Sequence, residues 1–174
     1  PIQDPDRTIL IDCFHQMRFP LVMVEKNRLY INQITDQVKF AQQAISTDVP
    51  PIDTYQGASV YQCTAFIDAR QTRILKSKLQ DCQITRWNPY GVDIISRQGG
   101  KAKGIAKILK HYNIPKENVM AFGDGENDME MLAYAGIGVA MGNANPKLKE
   151  IADYVTDEAK NDGIVKALEH FNLL

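Results

Sequence analysis

The sequence predicts an α/β protein in two parts: an α+β domain over residues 1–96, and part of a doubly wound parallel sheet with flanking helices over 97–174. In the first part, strand-like segments are joined by short turns, and strands joined in this way pair antiparallel. In the second part, short apolar segments alternate with amphipathic helices, which is typical of parallel sheets. The chain has 174 residues and is 44% hydrophobic, which is enough to bury a core in one or two domains.

Helical periodicity and turn residues define the elements of the first part. We expect helices over 7–17, 36–45 and 70–80, and strands over 21–25, 28–32, 59–67, 83–87 and 92–96. On the second helix, Val38, Ala41 and Ile45 fall on one face. Asn88 to Gly91 is a strong turn signal between the last two strands, because it combines asparagine, proline and glycine.

The second part begins with a helix predicted over 102–112. Its apolar residues recur at helical spacing: Ile105, Ile108, Leu109 and Tyr112. Strands are predicted over 119–122, 137–140 and 154–156, with helices over 147–152 and from Asp162 to Phe171. Asn145 and Pro146 favour a helix start, since proline is tolerated at a first helical position.

The stretch from Val119 to Asp128 is the most informative part of the chain. An apolar run ends at a glycine, and three carboxylates and an amide follow within the next turn. Open α/β sheets bind ligands at the carboxyl ends of their strands, so acidic groups at this point are suited to holding a cation. We expect a helix to begin near Asp128, whose side chain suits an N-cap. The pattern predicts a metal site on a strand–turn–helix.

Two other ligand-binding motifs do not fit this stretch. A helix–loop–helix calcium site starting at Asp124 would need glycine in place of Met129 and glutamate in place of Ala135. A dinucleotide-binding loop would need glycine in place of Asp128. The alternative to a metal site is a solvated acidic turn that caps a helix.

Three segments together resemble the last motif of the haloacid dehalogenase superfamily: Gly123–Asp128, Met131–Leu132 and Gly136–Ala144. Within that superfamily the chain is most similar to the Cof-type phosphatases, which carry a large cap domain. The resemblance is dense from about Gly99 to the C-terminus and faint before it.

This resemblance implies a fold and an activity. Residues 1–96 would form the α+β cap, and residues 97–174 the C-terminal part of a Rossmann-like core. Enzymes of the family transfer phosphoryl groups through an aspartyl-phosphate, with Mg²⁺ as cofactor. Mg²⁺ prefers oxygen ligands and is typically held by few carboxylates together with waters and substrate oxygens. The expected substrate is a small phosphorylated metabolite such as a sugar phosphate.

The resemblance also assigns roles in the acidic turn. Asp124 matches the metal ligand of the family motif, and Asn127 matches the amide that contacts the phosphate or orients the metal ligands. Asp128 matches a catalytic-site carboxylate that we expect to pair with a lysine. Glu126 occupies a variable position of the motif, so we expect it to be solvated.

A lysine at a helix start completes the set that the resemblance implies. Lys103, which is followed by Gly104, is assigned as the catalytic and phosphate-binding lysine. A flexible ammonium group can meet both a phosphate and a carboxylate, and the helix N-terminus adds backbone N–H groups for an anion. Lys101 is the alternative, and the sequence leaves the choice between the two open.

The chain departs from the family pattern at its beginning. The nucleophile of the family lies in an Asp-x-Asp-Gly-Thr element, which the sequence lacks. The most similar segment is Thr8–Phe14, an apolar run that reaches Asp12 but has Phe14 in place of the second acid. We therefore expect Asp12 to lie on a helix face in the cap. We therefore expect a fragment of a phosphatase whose sheet edge is covered by a missing N-terminal core segment or by another chain. The alternative is a catalytically inactive truncated chain that at most binds a metal or a partner.

Composition limits the other partners. The net charge of −1 predicts no attraction to nucleic acid or to an anionic membrane, and no segment is long and apolar enough to cross a bilayer. Cys13, Cys63 and Cys82 are scattered without metal-site spacing. We expect them to be thiols in a reducing cytoplasm.

Overall fold

A computed structural model describes all 174 residues and divides them into two compact units. We call Pro1–Gly99 the N-terminal unit and Gly100–Leu174 the C-terminal unit. Both combine helices with a sheet, which confirms the predicted α/β class. No helix has both the length and the apolar character that crossing a membrane requires.

The N-terminal unit has three helices and a five-stranded antiparallel sheet. Its helices are α1 (Asp6–His15), α2 (Asp36–Ala44) and α3 (Ala69–Lys78). Its strands are β1 (Leu21–Val24), β2 (Leu29–Ile31), β3 (Gln62–Phe66), β4 (Cys82–Arg86) and β5 (Gly91–Ser96), in the order β2-β1-β3-β5-β4. The two predicted strand pairs, β1 with β2 and β4 with β5, are confirmed as antiparallel neighbours.

Both faces of this sheet carry apolar residues, because side chains alternate along a strand. Leu10 on α1 and Leu75 on α3 join one cluster, together with β1 residues such as Met23. On the other face, Val38 of α2 packs in a cluster with Val22. The sheet is therefore a middle layer, with α1 and α3 packed on one face and α2 packed on the other.

A buried carboxylate joins α1 to the start of β4. Asp6 is 0% exposed, and its two oxygens accept hydrogen bonds from the backbone N–H groups of Gln80, Asp81 and Cys82 at 2.7–2.8 Å. A carboxylate that accepts three N–H groups loses little by leaving water. Asp6 thus fixes the first turn of α1 against the β4 end of the sheet.

Two helix residues that the sequence singled out in the N-terminal unit, Ile45 and Asp12, are exposed. The sequence predicts a helix through Ile45, but α2 ends at Ala44 and Ile45 is 49% exposed. Asp12 lies exposed on α1 and accepts a hydrogen bond from Gln16, as expected for a helix face.

The cysteines are buried free thiols, as the sequence predicts. Burial raises the pKa of each thiol, that of Cys82 to about 12. Thiols of high pKa contain little of the reactive thiolate at neutral pH, so they act as small apolar side chains.

The C-terminal unit contains a three-stranded parallel sheet with four helices. Its strands are β6 (Met120–Gly123), β7 (Ile137–Ala140) and β8 (Tyr154–Val155), in the order β6-β7-β8. Its helices are α4 (Lys101–Tyr112), α5 (Met129–Tyr134), α6 (Pro146–Ile151) and α7 (Gly163–His170). Leu132 of α5 and Leu148 of α6 are buried against β6 and β7, which forms the core of this unit.

Helix α4 does not bury its whole apolar face. Leu109 is buried, but Ile108 is 58% and Tyr112 is 66% exposed. The unit supplies α5 as a packing partner of α4, while its sheet ends at β6. The amphipathic pattern identified the apolar face correctly, and nothing within the unit covers all of it.

Candidate active site

The acidic turn lies at the carboxyl end of β6, where it was expected. The strand ends at Gly123, and a single 3-10 turn over Glu126–Asp128 leads directly into α5. The N–H of Asp128 donates to the carbonyl oxygen of Gly125 at 3.0 Å, which closes this turn. The polar side chains of the motif therefore project from one short connection between a strand and a helix.

Asp128 is the buried centre of the turn. Only 3% of the residue is exposed, and its Oδ2 accepts the backbone N–H groups of Asp124 at 3.0 Å and Gly125 at 3.1 Å. Its Oδ1 accepts a hydrogen bond from the ammonium group of Lys101. Asp128 therefore does not cap α5 with its side chain, contrary to expectation, because that carboxylate binds the preceding loop instead.

Gly123 makes room for this carboxylate. A Cβ atom on Gly123 would lie 2.5 Å from the Cβ and 2.9 Å from the Cγ of Asp128, far inside van der Waals contact. Asp128 cannot move aside, because it is bonded to the loop and to Lys101. The end of β6 therefore requires glycine, because the side chain of Asp128 lies too close for any Cβ atom at this position.

The pKa of Asp128 is lowered by its partners. Burial is the largest single effect and by itself raises the pKa. The hydrogen bond from Lys101, the two backbone N–H groups and the charge of Lys101 together outweigh burial, so the pKa lies below the ordinary value of 3.8. Asp128 is therefore an anion at neutral pH and holds the ammonium group beside it.

The lysine bonded to Asp128 is Lys101, the alternative that the sequence left open. Lys101 is the first residue of α4, and its side chain is 50% exposed. Two residues along a helix turn the side-chain direction by about 200°, so Lys101 and Lys103 project from different sides of α4. The glycine after Lys103 favours that residue in the sequence, and its assignment stays a prediction, while Lys101 is the lysine that contacts Asp128.

Asp124 presents an exposed carboxylate beside the buried one. Its Oδ2 accepts a hydrogen bond from Nδ2 of Asn143 at 3.0 Å, and its backbone carbonyl accepts the N–H of Asn145 at 3.3 Å. Sequence reasoning included Asn143 in the matching stretch but gave it no role. The signal that could have found it is a polar residue three positions past the end of β7, since the carboxyl ends of adjacent parallel strands meet.

The remaining two residues of the turn are exposed. The side-chain oxygen of Asn127 lies 2.5 Å from the point where a Cβ on Gly125 would be, so the amide folds over that glycine. Glu126 forms a loose ion pair with Lys147 at 3.7 Å, and both side chains are largely in solvent. Glu126 is thus solvated, as expected.

The oxygen donors of this turn suit Mg²⁺ better than a soft metal. The bond from Asn143 goes to Oδ2 of Asp124, Oδ1 is the other oxygen of this exposed carboxylate, and its neighbours offer amide and carboxylate oxygens. The 174 residues contain no group of three or more His, Cys, Asp or Glu side chains that could hold a metal. One carboxylate is compatible with Mg²⁺, which completes its six ligands with waters and substrate oxygens, and not with a structural zinc site.

A parallel α/β core with polar residues at the carboxyl ends of its strands is typical of a broad class of ligand-binding proteins. Comparison with family models narrows this class to one family. A family model of haloacid dehalogenase-like hydrolases matches residues 2–168, and the chain belongs to this family.

Three similar proteins illustrate the relationship. The YkrA protein of Bacillus subtilis (strain 168), which is named as a phosphatase, is 37% identical over 133 residues, or 75% of this chain and 51% of its own length. The 5-amino-6-(5-phospho-D-ribitylamino)uracil phosphatase YcsE of the same strain is 42% identical over 96 residues, or 55% of this chain and 39% of its own length.

The third similar protein has a solved structure. The subclass IIB sugar phosphatase BT4131 has 33% sequence identity and a TM-score of 0.87, over 99% of this chain and 68% of that one. The chain spans about half the length of the curated relative YkrA.

Proposed function

We propose that the protein containing this chain is a Mg²⁺-dependent phosphatase that hydrolyses small phosphorylated metabolites such as sugar phosphates. The observation that carries the proposal is the group of Lys101, Asp124, Asn127 and Asp128 at the end of β6, in a chain of this family. The named phosphatase activities of YcsE and the sugar phosphatase BT4131 support a phosphate ester as the substrate.

Each residue of the group has a distinct role in this proposal. Asp124 holds Mg²⁺, which supplies charge neutralisation between a carboxylate nucleophile and the phosphate. The amide of Asn127 binds a phosphate oxygen. Asp128 keeps the ammonium group of Lys101 in place and leaves two of its three N–H donors for the phosphate and the nucleophile.

Lys101 is the phosphate-binding lysine in this proposal. The ion pair with Asp128 places its ammonium group beside the turn that carries Asp124. A positive charge fixed before the reaction stabilises a transition state that gains negative charge on the phosphate oxygens. The same role for Lys103 stays a prediction from the sequence, and single substitutions separate the two.

The nucleophile and the sheet edge beside β6 belong to the same proposal. The chain contains no Asp-x-Asp-Gly-Thr element, and β6 is the edge strand of its parallel sheet. We propose that an N-terminal core segment covers this edge and brings the nucleophilic aspartate to the carboxyl end of the neighbouring strand. This chain covers 68% of the BT4131 chain, so BT4131 contains further residues that could include a segment of this kind. An exposed row of unpaired backbone groups on β6 would otherwise favour association with other chains.

One specific observation favours a second candidate function. Because the 174 residues lack the nucleophile element, the chain by itself would be a catalytically inactive module that binds a metal or another chain. The net charge of −1 argues against nucleic acid or an anionic membrane as its partner. Buried free thiols agree with the reducing cytoplasm, which is the proposed location.

Phosphate release from a panel of sugar phosphates and other small phosphate esters tests the proposal. We expect the full-length protein to release phosphate with Mg²⁺, and to stop when the metal is removed with a chelator. The 174-residue chain should release none, because it lacks the nucleophile. Activity that is unaffected by the chelator would contradict the Mg²⁺ dependence, and no activity on any ester would favour the inactive module.

A further inference from the structure

The loop between β7 and α6 contacts Asp124 at two places. We call this segment, Met141–Asn145, the β7–α6 loop. Nδ2 of Asn143 donates to Oδ2 of Asp124 at 3.0 Å, and the backbone N–H of Asn145 donates to the carbonyl oxygen of Asp124 at 3.3 Å. Side chain and backbone of Asp124 are therefore both bonded to one loop.

The β7–α6 loop is itself fixed by hydrogen bonds on several sides. The N–H of Met141 donates to Gly123 at 2.9 Å, and the N–H of Gly142 donates to Asp157 at 3.1 Å. The ammonium group of Lys149 donates to the carbonyl oxygen of Gly142 at 2.6 Å. Asn143 thus projects from a loop that is tied to β6, to the segment after β8 and to α6.

Gly142 shows how closely this loop approaches its neighbours. A Cβ atom at this position would lie 2.6 Å from the backbone nitrogen of Glu158 and 2.8 Å from the backbone carbon of Asp157. Backbone atoms cannot rotate away as the end of a side chain can. The loop therefore has little freedom to shift, and neither has the Cα atom of Asn143.

The chemistry of the contact suits a metal ligand. The amide of Asn143 donates a hydrogen bond without carrying a charge, so it orients the carboxylate of Asp124 without competing with a cation as a lysine would. This bond goes to Oδ2 and leaves Oδ1 as the other oxygen of the carboxylate. Hydrogen bonds of this kind orient metal ligands, and their loss typically weakens metal affinity by 10–100-fold.

We propose that Asn143 is a positioning residue that holds the side chain of Asp124 in the rotamer that presents Oδ1 to Mg²⁺. This inference rests on the proposed function, because it takes Asp124 as the metal ligand. Asn143 itself touches neither metal nor phosphate in this role. Its effect is to remove the rotational freedom that an exposed aspartate would otherwise lose on binding the metal.

Substitution of Asn143 in the full-length protein tests the role. Asn143→Ala removes the donor, and Asn143→Leu removes it while keeping a side chain of similar shape. Asn118→Ala, at the opposite end of β6 and also exposed, is the matched control. We expect both Asn143 variants to bind Mn²⁺, measured by electron paramagnetic resonance, about 10–100-fold more weakly than the wild type and the control.

Two further readouts separate positioning from a general structural role. The Mg²⁺ concentration for half-maximal activity should rise by the same factor, while kcat at saturating Mg²⁺ stays near the wild-type value. In metal-free crystals of Asn143→Ala, Asp124 should adopt a different or mixed rotamer. Binding restored by Asn143→Leu would mean that shape alone matters and would overturn the proposal.

The two possible failures are distinguishable. If the wild type binds Mn²⁺ and both variants bind it equally well, the role of Asn143 is overturned and the proposed function stands. If the wild type binds no Mn²⁺ and needs no Mg²⁺, the assignment of Asp124 as metal ligand fails, and the role of Asn143 falls with it.

Discussion

The ammonium group of Lys101 donates a hydrogen bond to Oδ1 of Asp128, and this pair joins the first turn of α4 to the end of β6. The other oxygen of Asp128 binds the backbone N–H groups of Asp124 and Gly125. One buried carboxylate therefore fixes both the proposed phosphate-binding lysine and the loop that carries the proposed metal ligand.

Asp128→Asn should destabilise the fold, because the amide loses the charge that pairs with Lys101. We expect a loss of about 1–3 kcal/mol in the free energy of unfolding at neutral pH, measured with urea. Glu126→Gln is the matched control in the same turn; as an exposed side chain with a loose ion pair it should change stability by less than about 0.5 kcal/mol. Equal effects of the two substitutions would show that the buried carboxylate of Asp128 contributes no more to stability than the exposed carboxylate of Glu126.

The stability difference between wild type and Asp128→Asn should shrink in acid. The pKa of Asp128 is lowered in the folded state from the ordinary value of 3.8, so its stabilising charge is fully present above that value. As the pH falls below it, the unfolded chain takes up the proton first, and the contribution is lost as the pH passes through the folded-state pKa. Urea unfolding of both proteins between about pH 6 and pH 3 measures this convergence. Curves that stay parallel throughout would contradict the lowered pKa.

Gly123→Ala should be destabilising, since the new Cβ would overlap the Cβ and Cγ of Asp128. Overpacking of this kind costs about 1–3 kcal/mol. Gly104→Ala is the control with the opposite sign: nothing lies within 4 Å of that Cβ, and alanine favours a helix by about 0.5–1 kcal/mol over glycine. Thermal melts of the two variants should move in opposite directions. A Gly123→Ala variant as stable as the wild type would mean that the backbone at the end of β6 can shift to accommodate the new Cβ atom.

Single substitutions of Lys101 and Lys103 should separate their roles. Lys101→Ala is expected to lower kcat/KM by about 10²-fold or more, because it removes a preorganised positive charge from the site. Lys103→Ala should have a clearly smaller effect. Steady-state phosphate release by both variants of the full-length protein gives the comparison. The reverse order would return the role to Lys103, as the sequence alone suggested.

In the N-terminal unit, Asp6→Asn should cost about 2 kcal/mol in the free energy of unfolding. In the wild type, the carboxylate of Asp6 accepts the backbone N–H groups of Gln80, Asp81 and Cys82. In the variant, the amide nitrogen replaces one of the accepting oxygens and turns a donor towards these N–H groups. Asp12→Asn, exposed on the same helix, should stay within about 0.5 kcal/mol of the wild type. If both variants were equally stable, Asp6 would not be the anchor of α1.

Local sequence signals predicted the elements of this chain well. The turn from Asn88 to Gly91 lies between two antiparallel strands, and Asn145 caps α6 by accepting the N–H of Leu148 at 2.9 Å. Such signals depend on a few neighbouring residues. For the same reason, the position of the acidic turn at the end of β6 followed from its own ten residues.

Contacts between distant segments were harder to predict. The choice of Lys101 for Asp128 depends on how α4 is rotated against the end of β6, and Asn143 reaches Asp124 only because β7 lies beside β6. The exposure of Ile108 shows the same limit. Periodicity identifies an apolar face but does not say which segment covers it.

The most direct test of the account compares Asp124→Asn with Glu126→Gln in the full-length protein. Both substitutions remove one charge from the same turn, but only Asp124 is the proposed metal ligand. With a sugar phosphate and saturating Mg²⁺, we predict that Asp124→Asn lowers phosphate release by about 10²-fold or more, while Glu126→Gln retains wild-type activity. Equal activity of the two variants would contradict the assignment of this turn as the metal site of a phosphatase.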